Sequence, residues 1–243
     1  MQYWGLTDPG CVRPQNQDTY QIENLDKHTI LCVVCDGMGG AKSGDVASAL
    51  AVETFSREVK RCWNGNVDGE AAEKMLRDAV NAANTAVFEK AKEAEEFTGM
   101  GTTLVAALVQ NKRATFVNVG DSRGYCIHPD GIRQVTRDHS LVQMMVFHGE
   151  LTPEQAKTYP GKNYITRAIG TESAVECDIN SISIKKGSYI LLCTDGLSNL
   201  LDEQELLYEV AHEGKPEECC QRLLDIAKKR GAPDNVTSAL VAV

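Results

Sequence analysis

Over residues 102–135 the chain reads as apolar, strand-like runs broken only at Gln110-Asn111-Lys112, Gly120-Asp121-Ser122 and Pro129-Asp130-Gly131. Gaps this short hold a turn but not a crossover helix. The runs they join are therefore expected to pair antiparallel, as hairpins. That favours antiparallel pairing over βαβ crossovers. Further strands are expected over residues 3–7, 19–25, 29–36, 177–184, 188–194 and 235–243, each bounded by turn residues or by a change of period.

Between the strand blocks the period becomes helical. Ala72, Met75, Leu76, Ala79, Val80, Ala83 and Val87 form one amphipathic stripe, whose ordinary use is core packing. An earlier helix is expected from Ser43, as N-cap, to about residue 61, with a polar loop over 64–69 between the two. Asp202 and Glu205 have the spacing of a capping box for a helix over about 203–212. Pro216 suits the first turn of another, with Cys220, Leu223, Leu224 and Ala227 on one face. Strand blocks alternating with helix pairs imply an α+β sandwich with its helices outside. Residues 138–167, with Pro153, Pro160 and Gly161, read as an insertion outside the main layers, and no repeat or linker divides the chain.

Charge narrows the partners. With 34 Asp and Glu against 25 Lys and Arg, the chain carries a formal charge of −9. That argues against a nucleic-acid partner, which needs a basic stripe, and against docking on an anionic membrane. The longest apolar run, 30–35, is too short to span a bilayer, and the start Met1-Gln2-Tyr3-Trp4-Gly5 has no signal-peptide pattern. A cytoplasmic location is expected. The 9 cysteines are an odd count and do not form a disulfide framework. Cys32 and Cys35 have redox-motif spacing but lie inside a strand-like run, where structural thiols are expected. Cys219 and Cys220, adjacent on a helix, should face different directions.

The chemistry gathers where apolar runs meet Asp-Gly. Residues 30–35 lead into Asp36-Gly37-Met38-Gly39-Gly40, residues 191–194 lead into Asp195-Gly196, and Val117-Asn118-Val119 leads into Gly120-Asp121-Ser122-Arg123. Asp18 and Asp234 flank other strands. A single Asp-Gly is ordinary turn chemistry. Several strand-end carboxylates converging would instead make a hard-oxygen site suited to Mg²⁺ or Mn²⁺ rather than zinc.

Taken together, eight ordered motifs resemble the metal-dependent protein phosphatases of the type 2C family in their compact bacterial form. They are Arg13 to Asp18, Asp36 to Gly40, Gly101-Thr102-Thr103, Gly120 to Arg123, Asp138-His139-Ser140, Ile165 to Gly170, Asp195 to Leu200 and Asp234 to Thr237. The resemblance implies a four-layer αββα fold: a central β-sandwich of two antiparallel sheets flanked by helix pairs. It implies a single catalytic domain over 1–243, with a flap-like insertion at about 139–167. It also implies a phosphoserine/phosphothreonine phosphatase using two Mn²⁺ or Mg²⁺ ions. Asp36 would bridge both ions, the Gly37 carbonyl would bind one, and Asp195 and Asp234 the other. Asp121, sharing Asp195, would contribute to a weaker third site. Asp18 would hold metal-bound water, and Arg13 would grip the phosphate, which a metal-bridging hydroxide attacks directly. Asn235 would support the cluster.

Three departures from the family pattern stand out. Met38 replaces a His proposed as general acid in many eukaryotic relatives, Gln17 replaces a Glu, and Asn199 replaces an Asp that bears on the third ion. His139 is expected to be structural; His28, His128, His148 and His212 are expected at the surface. Phosphorylated proteins, including a Ser/Thr kinase, are the implied partners of a monomeric enzyme. The alternative is a pseudophosphatase that only binds phosphoproteins, but such proteins usually lose metal aspartates, and Asp36, Asp195 and Asp234 all remain. A thiol redox role for Cys32 and Cys35 is a third reading and would need exposed, acidic thiols. Metal and Arg13 would reverse the sign of the site locally, so an acidic chain can still take an anionic substrate.

Overall fold

The computed structural model describes residues 1–39, 43–65, 67, 69–110, 112–211 and 214–243. Gly40, Asn111 and His212, named above, lie outside the described residues, as does part of the polar loop over 64–69.

Two antiparallel sheets form the centre. The first has the order β1 (Gln2–Asp8), β11 (Val236–Ala242), β10 (Tyr189–Cys193), β7 (Arg123–His128), β8 (Gly131–Gln134). The second runs β2 (Asp18–Asp26), β3 (Thr29–Met38), β5 (Leu104–Gln110), β6 (Arg113–Val119), β9 (Asp178–Ser183), with short β4 (Gly101–Thr102) pairing the end of β3. Strand β3 shows why its sequence is apolar without alternation. Side chains alternate faces along a strand: Ile30, Cys32 and Val34 enter the core between the sheets, whereas Leu31, Val33 and Cys35 pack under helices. Strand β10 does the same, with Ile190 and Leu192 inward and Leu191 and Cys193 outward.

Helices α1 (Gly44–Cys62) and α2 (Gly69–Lys90) cover the second sheet, and the stripe from Ala72 to Val87 is its contact face. Helices α6 (Glu203–Ala211) and α7 (Pro216–Lys229) cover the first, together with the single turn α5 (Asp195–Ser198). The result is the expected αββα layering. Asp202 and Glu205 make the reciprocal capping bonds, 2.9 Å from Glu205 N–H to Asp202 Oδ1 and 3.1 Å from Asp202 N–H to a Glu205 carboxylate oxygen. Insertion helices α3 (Leu141–Phe147) and α4 (Pro153–Thr158) contact each other, and a bridge between Ser140 and Ile165 fastens the base of this segment.

Some expectations are corrected. The gap Gly120-Asp121-Ser122 is not a hairpin: β6 pairs with β5 in one sheet and β7 with β10 and β8 in the other. Three residues suffice to carry the chain across the edge of the sandwich because Gly120 takes φ 103°, a conformation only glycine adopts at low cost. Ser43 does occupy the N-cap position, but its hydroxyl donates back to the Gly39 carbonyl at 2.6 Å instead of capping α1. Cys32 and Cys35 lie on opposite faces of β3, each fully buried, and burial pushes both thiols well above their ordinary range. Cys219 and Cys220 are both buried against the first sheet, with Cys219 Sγ 3.5 Å from Arg222 and Cys220 Sγ 3.9 Å from the Trp4 carbonyl. All 9 cysteines are free.

Candidate active site

The ends of β3, β6 and β10 and the starts of β7 and β11 lie at one end of the sandwich, because Cys193 faces both Ser238 and Arg123 and Val119 faces Leu104. The sequence places an aspartate at or beside each of these ends. A cleft of about 700 Å³ opens there, lined by Asp36, Asp121, Asp195 and Asp234 together with Arg13, Gly37 and Asn235. Residues separated by more than 200 positions thus share one cavity. Asn163 and Ile165 of the insertion form part of its wall, as does Met38.

Asp18 sits beneath the cleft, 6 % exposed and directly opposite Asp36 in the β2–β3 register. Its Oδ2 accepts from Thr194 Oγ1 at 2.8 Å and Thr237 Oγ1 at 2.6 Å. Its Oδ1 is buried with no hydrogen-bond partner among the described residues. Burial, opposed by the two threonine bonds and reinforced by Asp195 and Asp234, raises the Asp18 carboxyl to about 7. Asp36 is pushed well above the carboxylate range by burial and then by Asp18, Asp195, Asp121 and Asp234. Asp121 rises to about 7, through burial and then Asp195 and Asp138. Asp195 also rises through burial and Asp234, while a hydrogen bond with Asp36 and another from Asn199 Nδ2, at 3.0 Å, hold it down. Carboxylates that raise one another in this way are an assembly waiting for positive charge.

One cation is already present. Arg13 Nη2 donates to Asp234 Oδ2 at 2.8 Å, and Asp36 and Asp195 add to the field holding its charge. Among the described residues no three acidic, histidine or cysteine side chains close around a single point as a metal cage would; they face a common cleft. The donor set is nevertheless entirely oxygen, and Asp18 Oδ1 is an orphaned acceptor beneath it. Hard divalent cations fit such a set.

Asn235 fastens the segment that carries Arg13. Its Oδ1 accepts from Gln17 N–H at 2.9 Å, and its Nδ2 donates to the carbonyls of Gln15 at 2.9 Å and Pro9 at 3.0 Å. Gly37 and Gly196 allow the closest approaches: an added Cβ would lie 1.9 Å from the Gly44 carbonyl oxygen and 1.9 Å from that of Asn235, respectively. His139 is buried and structural, its Nδ1 accepting from Gly120 N–H at 3.2 Å; its burial lowers its pKa. His28 and His148 are exposed and His128 is half-buried. Sequence reasoning passed over Thr194 and Thr237, although both fall inside or beside the Asp195 and Asp234 motifs, and it assigned no role to Thr103.

Residues 14–240 match the family model described as Protein phosphatase 2C. The chain is 37% identical to the serine/threonine phosphatase stp of Listeria innocua over 236 residues, covering 97% of this chain and 93% of that one. It is 33% identical to the serine/threonine protein phosphatase PstP of Mycobacterium tuberculosis over 243 residues, covering 100% of this chain and 45% of that longer protein. Among solved structures, the serine/threonine phosphatase Stp1 from Staphylococcus aureus superposes with TM-score 0.92 at 36% identity, covering 99% of this chain and 94% of that one. The Mycobacterium tuberculosis phosphatase PstP/Ppp does so with TM-score 0.87 at 32% identity, covering 98% and 97%.

Proposed function

The chain belongs to the protein phosphatase 2C family and is a serine/threonine phosphatase; from that premise we propose that its cleft removes phosphate from phosphoserine and phosphothreonine with the help of divalent metal. The observation that carries this reading is the convergence of Asp36, Asp121, Asp195 and Asp234 with Arg13 on one cleft above buried Asp18. Asp36, Asp195, Asp234 and the Gly37 carbonyl would hold two Mn²⁺ or Mg²⁺ ions, and Asp121 with Asp195 a weaker third. When bound, such ions supply a water of lowered pKa and screen the charge of the phosphoryl group.

The chain's own groups do the rest. Arg13 spends one donor on Asp234 and can turn its remaining guanidinium donors to phosphoryl oxygens, a planar fork matched to that task. Asp18 Oδ1, without a hydrogen-bond partner among the described residues, would accept a hydrogen bond from water held beneath the cleft and orient it, while Thr194 and Thr237 fix the opposite oxygen. Water adds to phosphorus, the P–O bond to the seryl or threonyl oxygen breaks, and that oxygen takes a proton. Met38 at the cleft wall is a thioether and cannot donate it, so solvent in the cleft must. No cysteine is among the residues described at the cleft, so a thiol nucleophile has no place in the reaction. The phosphoprotein-binding alternative has no observation in its favour, because every proposed metal aspartate faces the cleft.

The reading extends to residues 1–243 acting as a single, monomeric catalytic domain in the cytoplasm. In it, 139–167 forms a flap beside the cleft, and phosphorylated proteins, a Ser/Thr kinase among them, are the substrates. Among the described residues no helix is long and apolar enough to cross a membrane. The test is phosphate release from phosphoserine and phosphothreonine peptides with Mn²⁺, abolished by EDTA and restored by added metal. Folded, Mn²⁺-loaded protein that released none would overturn it.

A further inference from the structure

The Gly101-Thr102-Thr103 motif holds the backbone of Asp36 on both sides, and Thr103 lines the cleft. Strand β3 pairs with β5 as far as Val34 opposite Val105, and with β4 from Gly37 opposite Thr102. Asp36 and Thr103 face each other at the break. The Asp36 carbonyl accepts from Thr103 N–H at 2.9 Å and from Thr102 Oγ1 at 2.8 Å. The return bond of the ladder is replaced. Asp36 N–H donates to the Thr103 hydroxyl, at 2.9 Å, instead of to a carbonyl.

That hydroxyl is shared. Thr103 Oγ1 lies 2.7 Å from Ser122 Oγ, in the residue after Asp121, on the segment that crosses to the other sheet. A threonine hydroxyl has one proton and two acceptor positions, enough for both bonds. Its methyl occupies the space a side chain on Gly120 would need, with an added Cβ falling 2.6 Å from Thr103 Cγ2. Thr103 and Ser122 are 3 % and 0 % exposed, so bulk solvent does not compete for these bonds. One side chain therefore touches the mainchain of Asp36 and the residues on either side of Asp121.

We propose that Thr103 is a positioning residue that sets Asp36 and Asp121 relative to each other, and thereby the affinity of the cleft for divalent metal. The inference rests on the metal-dependent reading of the cleft given above. Groups that orient a ligand typically govern affinity by roughly 10- to 100-fold.

The test is Mn²⁺ binding followed by the electron paramagnetic resonance of free Mn²⁺, which does not depend on turnover. Thr103→Val keeps the methyl and shape but loses the hydroxyl, and its dissociation constant should rise by roughly tenfold or more. Thr103→Ser restores the hydroxyl and should stay within about threefold of wild type. Ser122→Ala removes only the second bond and should fall between the two. Wild-type affinity in Thr103→Val overturns the inference, as does a Thr103→Ser affinity as weak as that of Thr103→Val, which would assign the effect to the methyl. If Thr103→Val does not fold by near-ultraviolet circular dichroism, Ser122→Ala decides: wild-type affinity there refutes the coupling. Wild-type protein that binds no Mn²⁺ fails the metal reading itself, and the inference with it. Wild-type protein that binds while the variants bind equally well fails only the role of Thr103.

Discussion

Asn235→Ala tests whether one buried amide holds the segment that carries Arg13 against the sandwich. Asn235 is 6 % exposed and makes three hydrogen bonds to the backbone of residues 9–17, with Gln17 N–H, the Gln15 carbonyl and the Pro9 carbonyl. Each is worth about 1 kcal/mol net. The expected loss is therefore about 3 kcal/mol, which in a chain of this size lowers Tm by roughly 6–12 °C. Urea unfolding in EDTA, with the slope unchanged, isolates this from metal binding. Arg13 lies in the released segment, so KM for a phosphopeptide should rise in the same variant. Asn235→Asp keeps an acceptor for Gln17 N–H but sets a carboxylate oxygen against two carbonyls; it should cost no less. A loss under about 1 kcal/mol for Asn235→Ala would refute the reasoning, because Asn235 would then be a spectator.

Asp36→Asn should lower phosphatase activity by orders of magnitude while making the metal-free protein more stable at pH 8, since it removes a buried carboxyl whose ionisation burial and the neighbouring carboxylates oppose. Urea midpoints in EDTA check the sign, and a less stable variant would contradict the electrostatic account. The pH dependence follows from Asp18 and Asp121, both raised from 3.8 to about 7. Between about pH 4 and pH 7 the folded protein holds protons that the unfolded chain has released, so metal-free stability falls across that window. Saturating Mn²⁺ should reverse the trend, because metal competes with those protons; urea midpoints at pH 5, 6, 7 and 8 with and without Mn²⁺ report it. Exposed Cys11 and Cys62 should react quickly with a thiol reagent, whereas Cys32 and Cys35 should react only on unfolding. Mass mapping of the labelled peptides distinguishes them, and early labelling of Cys32 or Cys35 would revive a redox reading.

Much of this architecture can be read from residue type and spacing because those parts are local. The stripe from Ala72 to Val87 has only one way to be buried as a helix, and the Asp202–Glu205 box closes within three residues. The strand-end aspartates are legible for the same reason: an apolar run followed by Asp-Gly places a carboxylate at a sheet edge whatever the sheet's partners. What spacing does not reveal is which sheet a strand joins. Gly120-Asp121-Ser122 has the length of a hairpin turn but switches sheets, and only the packing of β7 against β10 decides it. Ser43 fails as a cap because its side chain is turned toward the Gly39 carbonyl, and its oxygen accepts from no amide of α1. Thr103, Thr194 and Thr237 were missed because a threonine in a strand is ordinary. Their meaning comes from contacts to residues 67, 176 and 219 positions away.

The most direct test of the account is an anomalous difference map from crystals grown with Mn²⁺. The account predicts two peaks in the cleft, both touching Asp36, with Asp195 and Asp234 on one of them and the Gly37 carbonyl on the other. An empty cleft in crystals that diffract well, or Mn²⁺ bound only elsewhere on the surface, would contradict it.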